Sequence, residues 1–530
     1  MLNKKYKPVI GLEIHAELNT KTKMFCDSPN NPNETRPNTN VCPICMAYPG
    51  TLPVINLEAV KKTVKVGLAL GSKINELSWF ERKNYFYPDL PKGYQISQFE
   101  KPFCEGGTLK LSGGKSVRIT RVHLEEDTGR LVHEPEARNP KSEIRKSYVD
   151  FNRAGVSLME LVTEPDIETG KEAKEFGEEL QLLLRYLGAS EADMEKGEMR
   201  VEANISLSAI AEGAEQTRTD AEKSSASSAL NQRKSAVLGT KVEIKNLNSF
   251  KACERAIDYE IARQGKILEG GEKVIQETRG WNENKSETFS QRTKEESHDY
   301  RYFPEPDLPP VRLAEAEIEA LRAEIPELPA ERRARFVKEY SITEKDSDIF
   351  TSNRDLGNYF EKVASELDDW ANTQINADLN RRGSARIDQR KSAIKLAANY
   401  LITEIQKLLA ESGQSVADLK ISPEDFSELI VLIFKNTISS SAAQTILREM
   451  FETGADPNHV MESKNLSQMS DQSELKRSAQ EIIAQNSQAV ADYKKGKSES
   501  LKFLVGQLMR ATKGRANPQV SEEILKELLK

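Results

Sequence analysis

A short alternation near the N-terminus constrains the fold more than any other feature of this chain. From Leu12 to Leu18, apolar residues alternate with Glu13, His15 and Glu17. Successive side chains of a strand point to opposite faces, so this period of two predicts a half-buried β-strand. Three ionisable groups on one strand face do not belong in an apolar core. We therefore expect a sheet with one buried face and one polar face.

Other segments indicate that the first 311 residues mix strands and helices. Residues 116–124 predict a second strand, which is followed by Glu125-Glu126-Asp127, and Gly113-Gly114 before it predicts a hairpin turn. The same glycines do not form a phosphate-binding loop, because position 109, where that motif needs glycine, is leucine. Apolar spacing predicts helices over residues 57–70 and 172–187. The elements do not follow a regular βαβ alternation, so we expect an α+β domain.

After the prolines at 304–310 the sequence becomes almost wholly helical. We expect three domains, over residues 1–311, 312–457 and 458–530. In the last domain, Leu501, Leu504 and Leu508 begin an apolar stripe with helical spacing. Two polar segments, 209–240 and 372–392, lack apolar periodicity and are expected to be solvated loops.

Charge is distributed unevenly along the 530 residues. The net charge is −7, but residues 491–530 hold nine Lys and Arg against five Asp and Glu, a local charge of +4. Such a basic terminus favours phosphate contact, although a solvated helix face is the alternative. The candidate contacts are Lys497, Lys502, Arg510, Lys513 and Arg515. We find no apolar run of membrane-spanning length and no secretory signal, and expect a cytoplasmic protein.

Two groups of polar residues are candidates for chemistry. The acids Glu13, Glu125 and Glu126 with His15 form an oxygen-rich set that suits Mg²⁺, unless they are only a surface acid cluster. In the second group, cations interleave with tyrosines, which favours phosphate binding and base stacking over an ordinary ordered loop. Its members are Arg82, Lys83, Tyr85, Tyr87 and Lys92.

Several longer runs resemble one known family, the B subunits of the aspartyl/glutamyl-tRNA(Asn/Gln) amidotransferases (GatB). They occur in the family's order and cover nearly all of the first 310 residues, with a further match in the tail. The runs are residues 11–15, 82–89, 123–127, 164–166, 203–206, 245–250, 299–307, 503–507 and 514–518.

The resemblance implies an N-terminal cradle built around a β-sheet, followed by a helical domain and a small helical tail. Members of the family bind ATP and Mg²⁺ and phosphorylate the side-chain carboxylate of Glu-tRNA(Gln) or Asp-tRNA(Asn). Ammonia that an amidase partner, the family's A subunit, releases from glutamine then displaces the phosphate, and a small C subunit completes a heterotrimer. The cradle takes the tRNA acceptor end, and the tail domain holds the tRNA body.

The resemblance also implies roles for individual residues. Glu13, His15, Glu125 and Glu126 would be the catalytic and Mg²⁺-binding set. The cations and tyrosines at 82–92 would serve ATP or the acceptor end. The cleft for the tRNA 3′ end would be lined by Asn152, Arg153, Glu202, Asn204, Lys245, Asn246 and Asn248.

Four cysteines lie in the first fifth of the chain. Cys42-Pro-Ile-Cys45 has a spacing that favours metal or redox chemistry in a chain of this kind. By the resemblance, Cys26, Cys42, Cys45 and Cys104 match a structural zinc knuckle that only some family members have. Four ordinary buried thiols are the alternative.

Two other functions compete with the ATP-dependent amidotransferase. One is a tRNA-binding scaffold without kinase chemistry, and the other is a stand-alone amide ligase that uses free ammonia. The Glu13, His15, Glu125 and Glu126 set argues against the scaffold. The long helical region and the basic tail favour a macromolecular substrate over the stand-alone ligase.

Overall fold

The structure is a computed structural model that describes residues 5–31, 34–133, 146–209, 239–293, 301–377, 383–467, 472–512, 516 and 518–529. The chain divides into two compact units, Met1–Leu328 and Pro329–Lys530.

The first unit contains all the strands among the described residues, together with four helices. The strands are β1 (Tyr6–Glu17), β2 (Lys73–Ile74), β3 (Leu77–Ser78), β4 (Glu81–Asn84), β5 (Tyr94–Ser97), β6 (Cys104–Glu105), β7 (Thr108–Lys110), β8 (Ser116–Glu126), β9 (Arg130–His133), β10 (Ser147–Asp150), β11 (Ser157–Thr163), β12 (Met199–Ala209), β13 (Val242–Leu247), β14 (Glu277–Asn282), β15 (Glu287–Thr293), β16 (Arg301–Pro304) and β17 (Val311–Arg312). The helices are α1 (Leu57–Ala69), α2 (Gly170–Tyr186), α3 (Phe250–Glu269) and α4 (Glu315–Ala323).

Ten of these strands form one large sheet. Its order is β15-β14-β13-β12-β1-β11-β8-β6-β2, with β7 paired to β8. The pairing of β13 with β14 is parallel, and the other pairs are antiparallel. The predicted hairpin at Gly113-Gly114 is confirmed, because it joins β7 to β8 and Gly114 has φ +85°. A separate three-stranded sheet has the order β16-β4-β5.

The predicted alternation in β1 is confirmed and places the core on one side of the sheet. Leu12 and Ile14 are completely buried in a cluster that also contains Phe176 of α2 and Ile257 of α3. Both helices begin where a side chain satisfies a free backbone N–H, since Thr169 Oγ1 accepts from Glu172 N at 3.1 Å. Ser249 does the same for α3.

Helix α4 belongs to the first unit, so this unit continues past the boundary that we predict at residues 311 and 312. Ile318 and Leu321 of α4 lie in the same core as the sheet. Lys65 of α1 forms an ion pair with Glu324 just after α4. The apolar spacing of α4 shows that it is a helix but not which core buries it.

The second unit is entirely helical among its described residues. Its helices are α5 (Pro329–Tyr340), α6 (Glu344–Ser352), α7 (Arg354–Ala377), α8 (Gly383–Tyr400), α9 (Gln406–Ser412), α10 (Pro423–Phe434), α11 (Ser440–Thr453), α12 (Pro457–Ser463), α13 (Gln472–Gln485), α14 (Ser487–Lys494), α15 (Glu499–Ala511) and α16 (Pro518–Leu529). A π-helical turn, Leu401–Ile405, joins α8 to α9. The overall class is therefore the expected α+β, with helices in the C-terminal region.

The second unit has two hydrophobic clusters. One spans residues 336–460 and includes the stacked rings of Phe350 and Phe360, whose centroids are 4.3 Å apart. The other spans residues 475–529 and contains Leu501, Leu504 and Leu508 of the predicted stripe. The three predicted domains remain a prediction, and the first of these clusters extends to Val460, past the expected division after residue 457.

The prediction of a loop over residues 372–392 is wrong for its described part. Residues 372–377 end α7, and residues 383–392 begin α8. Arg390 of α8 donates to Asp368 of α7, with Nη2 and Oδ2 2.9 Å apart. Polar contacts of this kind stabilise the two helices, although residues 372–392 have little apolar periodicity. Of the other predicted loop, residues 210–238 lie outside the described residues.

Across the described ranges, no helix combines the length and the apolar character that crossing a lipid bilayer requires.

Gly67 of α1 tests the packing of the first core. A Cβ at this position would lie 2.3 Å from Cys104 Sγ and 2.8 Å from Cys104 Cβ. We expect Gly67→Ala to lower the free energy of unfolding by about 1–3 kcal/mol through overpacking, as measured by chemical denaturation. Adding Cys104→Ala should restore part of the loss, since it removes the Sγ contact and leaves those with Cys104 Cβ and with Ile74 Cδ1, the latter at 3.2 Å.

Gly506 of α15 is the matched control, because it is also helical and a Cβ there meets nothing within 4 Å. Gly506→Ala should stabilise α15 by up to about 1 kcal/mol. Equal effects of the two substitutions would contradict the packing that the structure shows around Gly67.

Candidate active site

The antiparallel register of the large sheet collects ionisable side chains on the face opposite the core. Glu13 of β1 is the register partner of Glu202 on β12. His15 is the partner of Glu160 on β11, which in turn is the partner of His123 on β8. Partners in an antiparallel pair share a face, so these five side chains lie on one face across four strands.

The first cluster on this face, the imidazole cluster, consists of His15, Glu125 and Glu160. One nitrogen or oxygen atom from each lies within 4.8 Å of the others. His15 Nε2 is 3.5 Å from Glu125 Oε1 and 3.7 Å from Glu160 Oε2. His123 Nε2 lies 3.1 Å from Glu160 Oε2 on the other side.

Lys83 of β4 brings positive charge to the imidazole cluster. Burial acts to lower the pKa of Lys83, but the carboxylates of Glu125 and Glu160 outweigh it and raise that pKa. Burial likewise acts to raise the pKa of Glu160, whereas His123, His15 and Lys83 together hold it well below its ordinary value. Lys83 and Glu160 are therefore both charged at neutral pH.

The second cluster, the carboxylate cluster, consists of Glu13, Glu202 and Glu243. Their oxygens also lie within 4.8 Å of one another. Lys245 Nζ is 2.9 Å from Glu202 and 3.5 Å from Glu243, and Asn204 Nδ2 donates to Glu13 Oε1 at 2.7 Å. Burial, together with the neighbouring carboxylates, raises the pKa of Glu13.

Both clusters have the donor set that Mg²⁺ requires, which is mainly carboxylate oxygen. Within the described part of the chain, Nδ1 of His15, Nδ1 of His123 and Oδ1 of Asn204 are buried and have no hydrogen-bond partner. Neighbouring carboxylates that raise the pKa of Glu13 are also the arrangement that a divalent cation relieves. The residues present therefore fit a magnesium ion.

A third group of charged residues lies at one end of the polar face. Glu17 lies next to Asp127, and burial together with that neighbour raises the pKa of Glu17 to about 8. Burial acts to raise the pKa of Asp127, but Arg200 and Arg153 hold it at about 2. Arg200 Nη2 is 2.8 Å and Arg153 Nε 3.6 Å from Asp127 Oδ2.

Glu126 does not join the imidazole cluster, so the predicted magnesium set needs a correction. Its carboxylate accepts from Lys92 Nζ at 2.5 Å and from Ile96 N at 2.9 Å. Neighbouring residues of a strand point to opposite faces, and β8 directs Glu125 alone toward His15. Glu13 is also separate, as it belongs to the carboxylate cluster.

The other predicted nucleotide and acceptor-end residues have different surroundings. Arg82 donates from Nε and Nη2 to the two carboxylate oxygens of Glu305, at 2.7 and 2.8 Å, and its guanidinium carbon lies 4.4 Å from the ring centroid of Tyr94. Tyr85 is close enough to Lys83 to affect its pKa, and Tyr87 is 59 % exposed.

The predicted cleft residues are only partly brought together. Glu202, Asn204 and Lys245 meet around the carboxylate cluster, as described above. Asn152 instead holds a neighbouring loop, because its Oδ1 accepts from the backbone N–H of Thr39 and Asn40 at 2.7 and 2.8 Å. Asn248 is exposed, and the side chain of Asn246 lies outside the described residues.

Three of the four candidate zinc ligands converge. Sγ atoms of Cys26, Cys42 and Cys45 lie within 4.8 Å of one another. Cys104 is not part of this group, because it is buried in the core and its thiol donates to the carbonyl of Thr63 at 3.6 Å. The prediction of Cys104 as the fourth ligand is therefore wrong.

Sequence reasoning missed Glu160 as a member of the site and gave Glu243 and His123 no role in it. A signal for Glu160 was present, since it is the only ionisable residue in the otherwise apolar run 158–162. Glu243 and Lys245 likewise alternate with Val242 and Ile244. Neither alternation reveals which strand lies beside β1, and that pairing decides the membership of each cluster.

Comparison with known proteins gives matches over both parts of the chain. The sequence profile described as the GatB/GatE catalytic domain matches residues 8–319, and the profile described as the GatB domain matches residues 386–529. The chain is 43 % identical over 529 residues to a protein of Dehalococcoides mccartyi strain 195 whose name is that of the B subunit of an aspartyl/glutamyl-tRNA(Asn/Gln) amidotransferase, and 99 % of each chain is covered.

Two further proteins with the same name are similar to this chain to the same degree. The protein of Caldanaerobacter subterraneus subsp. tengcongensis is 42 % identical over 528 residues, and that of Thermotoga petrophila is 43 % identical over 530 residues. In both comparisons 99 % of each chain is covered. Because the catalytic-domain profile spans more than half of the chain and these identities extend over its full length, the chain belongs to the GatB family.

Proposed function

We propose that this chain is the B subunit of a tRNA-dependent amidotransferase that converts Glu-tRNA(Gln), Asp-tRNA(Asn) or both into the amidated forms. It uses ATP to phosphorylate the side-chain carboxylate of the amino acid carried by the tRNA. Ammonia released from glutamine by the amidase, or A, subunit then replaces the phosphate. A small C subunit completes the heterotrimer, which works in the cytoplasm.

The observation that carries this proposal is the pair of clusters on one sheet face, with Lys83 beside one and Lys245 beside the other. A carboxylate is a poor acyl donor because its oxygen leaves badly. Transfer of the γ-phosphoryl group of ATP makes an acyl phosphate, from which phosphate leaves readily. Catalysis of such a transfer consists mainly of positioning and of offsetting negative charge.

The two clusters would hold magnesium through His15, Glu125 and Glu160 on one side and Glu13, Glu202 and Glu243 on the other. When bound, magnesium offsets charge on the phosphate oxygens of ATP. Lys83 stays protonated between Glu125 and Glu160, so it presents a fixed positive charge to an incoming phosphate. Asn204 and Lys245 orient the carboxylates of the second cluster through the contacts described above.

The tail contributes a basic surface on α15. Lys502, Gly506 and Arg510 follow one another at intervals of four residues, all are exposed, and together they face away from the apolar stripe. A Cβ at Gly506 would meet nothing within 4 Å, so the backbone there is open to a phosphate. Lys497 is 67 % exposed at its side chain, and Lys513 and Arg515 lie outside the described residues.

Glu160 distinguishes the amidotransferase from a tRNA-binding scaffold without kinase chemistry. In the reconstituted complex, with ammonium chloride in place of glutamine, we expect Glu160→Gln to lower ATP-dependent amidation of Glu-tRNA(Gln) and Asp-tRNA(Asn) by about 100-fold or more. The physical reason is the loss of a carboxylate that holds His15, His123 and Lys83. Affinity for tRNA should stay within a few-fold.

Glu58→Gln, at the exposed start of α1, is the matched control and should leave the amidation rate unchanged. Full activity of the Glu160→Gln complex would exclude the imidazole cluster from catalysis. Inactivity of the wild-type complex toward both tRNAs, with tRNA still bound, would favour the scaffold.

Substitution of Glu13 should change both the free energy of unfolding and the binding of metal. The folded protein raises the pKa of Glu13, so ionising this group costs folding free energy once the pH exceeds its ordinary pKa. Without divalent cations at pH 7, Glu13→Gln should raise the free energy of unfolding by on the order of 1 kcal/mol. The difference in the free energy of unfolding between the two proteins should shrink as the pH falls below 4.5, where the Glu13 carboxyl is neutral like the amide that replaces it.

Magnesium should make the wild type the more stable of the two proteins. Wild type should gain about 2.7 kcal/mol at a magnesium concentration 100 times its Kd, and Glu13→Gln should gain less. Thermal unfolding with and without the ion measures both effects, and an equal gain in the two proteins would remove Glu13 from the metal site.

The basic surface of α15 should contribute to tRNA binding through phosphates. Lys502→Glu combined with Arg510→Glu should weaken tRNA binding and reduce the slope of log K against log salt by about 2. Lys526→Glu is the control, because Lys526 lies on α16, which packs in the same hydrophobic cluster as α15. An unchanged slope in the double variant would show that the basic surface of α15 does not touch the tRNA backbone.

A further inference from the structure

A β-bulge in β8 determines which residues of this strand reach the polar face of the sheet. Ile119 before the bulge and Val122 after it are both buried in the core, so two residues rather than one lie between them. The pairing of β8 with β11 shifts register at this point. Bulges re-aim the side chains that follow them. As a result, Arg121 lies on the same face of the sheet as His123 and Glu125.

Arg121 carries a positive charge that no carboxylate neutralises among the described residues. Its Nη1 donates to the carbonyl of Phe99 at 3.5 Å, and its Nε is buried without a hydrogen-bond partner in that part of the chain. Arg118, earlier on β8, instead donates from Nε and Nη2 to Asp166, each at 2.8 Å. A guanidinium with unused donors is suited to phosphate, because its planar fork matches two phosphate oxygens.

Two stacked aromatic rings connect Arg121 with the imidazole cluster. The ring centroids of Phe99 and Tyr302 are 4.5 Å apart, and the guanidinium carbon of Arg121 lies 5.4 Å from the centroid of Phe99. Tyr302 is the register partner of Lys83 on the small sheet. Burial raises the pKa of Tyr302, Lys83 and Arg121 act against it, and both carboxylates of the imidazole cluster act with it. The Tyr302 hydroxyl is therefore within electrostatic range of both Arg121 and the imidazole cluster.

The other cations near this end of the polar face have carboxylate neighbours. Burial acts to lower the pKa of Lys83, but the two carboxylates of the imidazole cluster outweigh it, so much of the Lys83 charge offsets theirs. Arg82 is bound to Glu305. Transfer of a phosphoryl group requires positive charge on the phosphate oxygens in addition to the metal. Of these three cations, Arg121 alone has no carboxylate neighbour among the described residues.

We propose that Arg121 binds the phosphate chain of ATP, and that Phe99 and Tyr302 position its guanidinium. This inference rests on the proposed function and adds a residue to it. A strand rises about 3.3 Å per residue, so the Cα atoms of Arg121 and Glu125 are about 13 Å apart. A triphosphate that is held at the imidazole cluster, together with an extended arginine side chain, bridges such a distance. The phosphate chain then runs along β8, past His123.

Steady-state kinetics of the reconstituted complex test the proposal, with ammonium chloride in place of glutamine. Arg121→Met removes the charge and should raise the KM for ATP by about 10- to 100-fold, because a charge-assisted hydrogen bond to phosphate is lost. The KM for the aminoacyl-tRNA should stay within a few-fold. Arg121→Lys should recover part of the loss. Lys110→Met, an exposed lysine of the neighbouring strand β7, is the matched control and should change neither KM.

Phe99→Leu tests the positioning role and keeps the charge. Phe99 is 50 % exposed, so its replacement leaves the core intact. Without the ring the guanidinium is less restrained, and the KM for ATP should rise by about three- to tenfold, with a smaller change in kcat. Calorimetric titration of the complex with magnesium and a non-hydrolysable ATP analogue should show the same order of affinities as the KM values. A purely structural Arg121 would lower the melting temperature and leave the nucleotide affinity unchanged.

The inference is wrong if a folded Arg121→Met complex keeps the wild-type KM for ATP and affinity for the analogue. It is also wrong if only the KM for the aminoacyl-tRNA rises, since Arg121 would then contact a tRNA phosphate. Should Arg121→Met not fold, wild-type values for both Arg121→Lys and Phe99→Leu would overturn it. The proposed function fails by a different result, a wild-type complex that amidates neither tRNA, and the titration then still shows whether Arg121 binds the nucleotide.

Discussion

The antiparallel register of β1 between β11 and β12 is the constraint on which the rest of the first unit depends. It pairs Glu13 with Glu202 and His15 with Glu160, and so it places carboxylates of different strands within reach of one cation. A shift of one residue would move Leu12 and Ile14 to the polar face and these acids into the core. Burial of the apolar face therefore specifies the geometry of the candidate active site.

This arrangement concentrates negative charge, and the structure offsets it unequally. Lys83, His15 and His123 surround Glu160, whose pKa is low, whereas Glu13 has acidic neighbours and a raised pKa. The imidazole cluster therefore has more offsetting charge around it than the carboxylate cluster, beside which Lys245 lies. A face with both kinds of cluster is suited to a substrate that is itself a highly charged phosphate, since the charges are placed before it arrives.

Local sequence patterns were sufficient for several elements, although not for the helices over residues 372–392, and they did not show which elements are neighbours. The alternation around Glu13, the turn at Gly113-Gly114 and the stripe at Leu501 and Leu508 each depend on residues close in sequence, and all three predictions are confirmed. Glu160 and Glu243 enter the site through strand pairing between distant segments, which periodicity does not encode. For the same reason, the spacing of cysteines could not show that Cys104 faces α1 while the other three meet Lys23.

Gly155 links the cysteines to the end of β8 in the first unit. Its φ is +85°, and a Cβ at this position would lie 3.3 Å from Cys45 Cβ and 3.9 Å from Glu126 Oε2, so glycine lets the loop over residues 151–156 pass between them. Asp127 N donates to Val156 O, and Gly155 N donates to Asp127 O, both at 2.8 Å. The loop is thus bonded to the end of β8 on one side and to Lys23 on the other. The same backbone carries Arg153, whose Nε lies 3.6 Å from Asp127 Oδ2, so the contacts of Lys23 with the carbonyls of Phe151 and Ala154 help to position Arg153 at the end of the polar face.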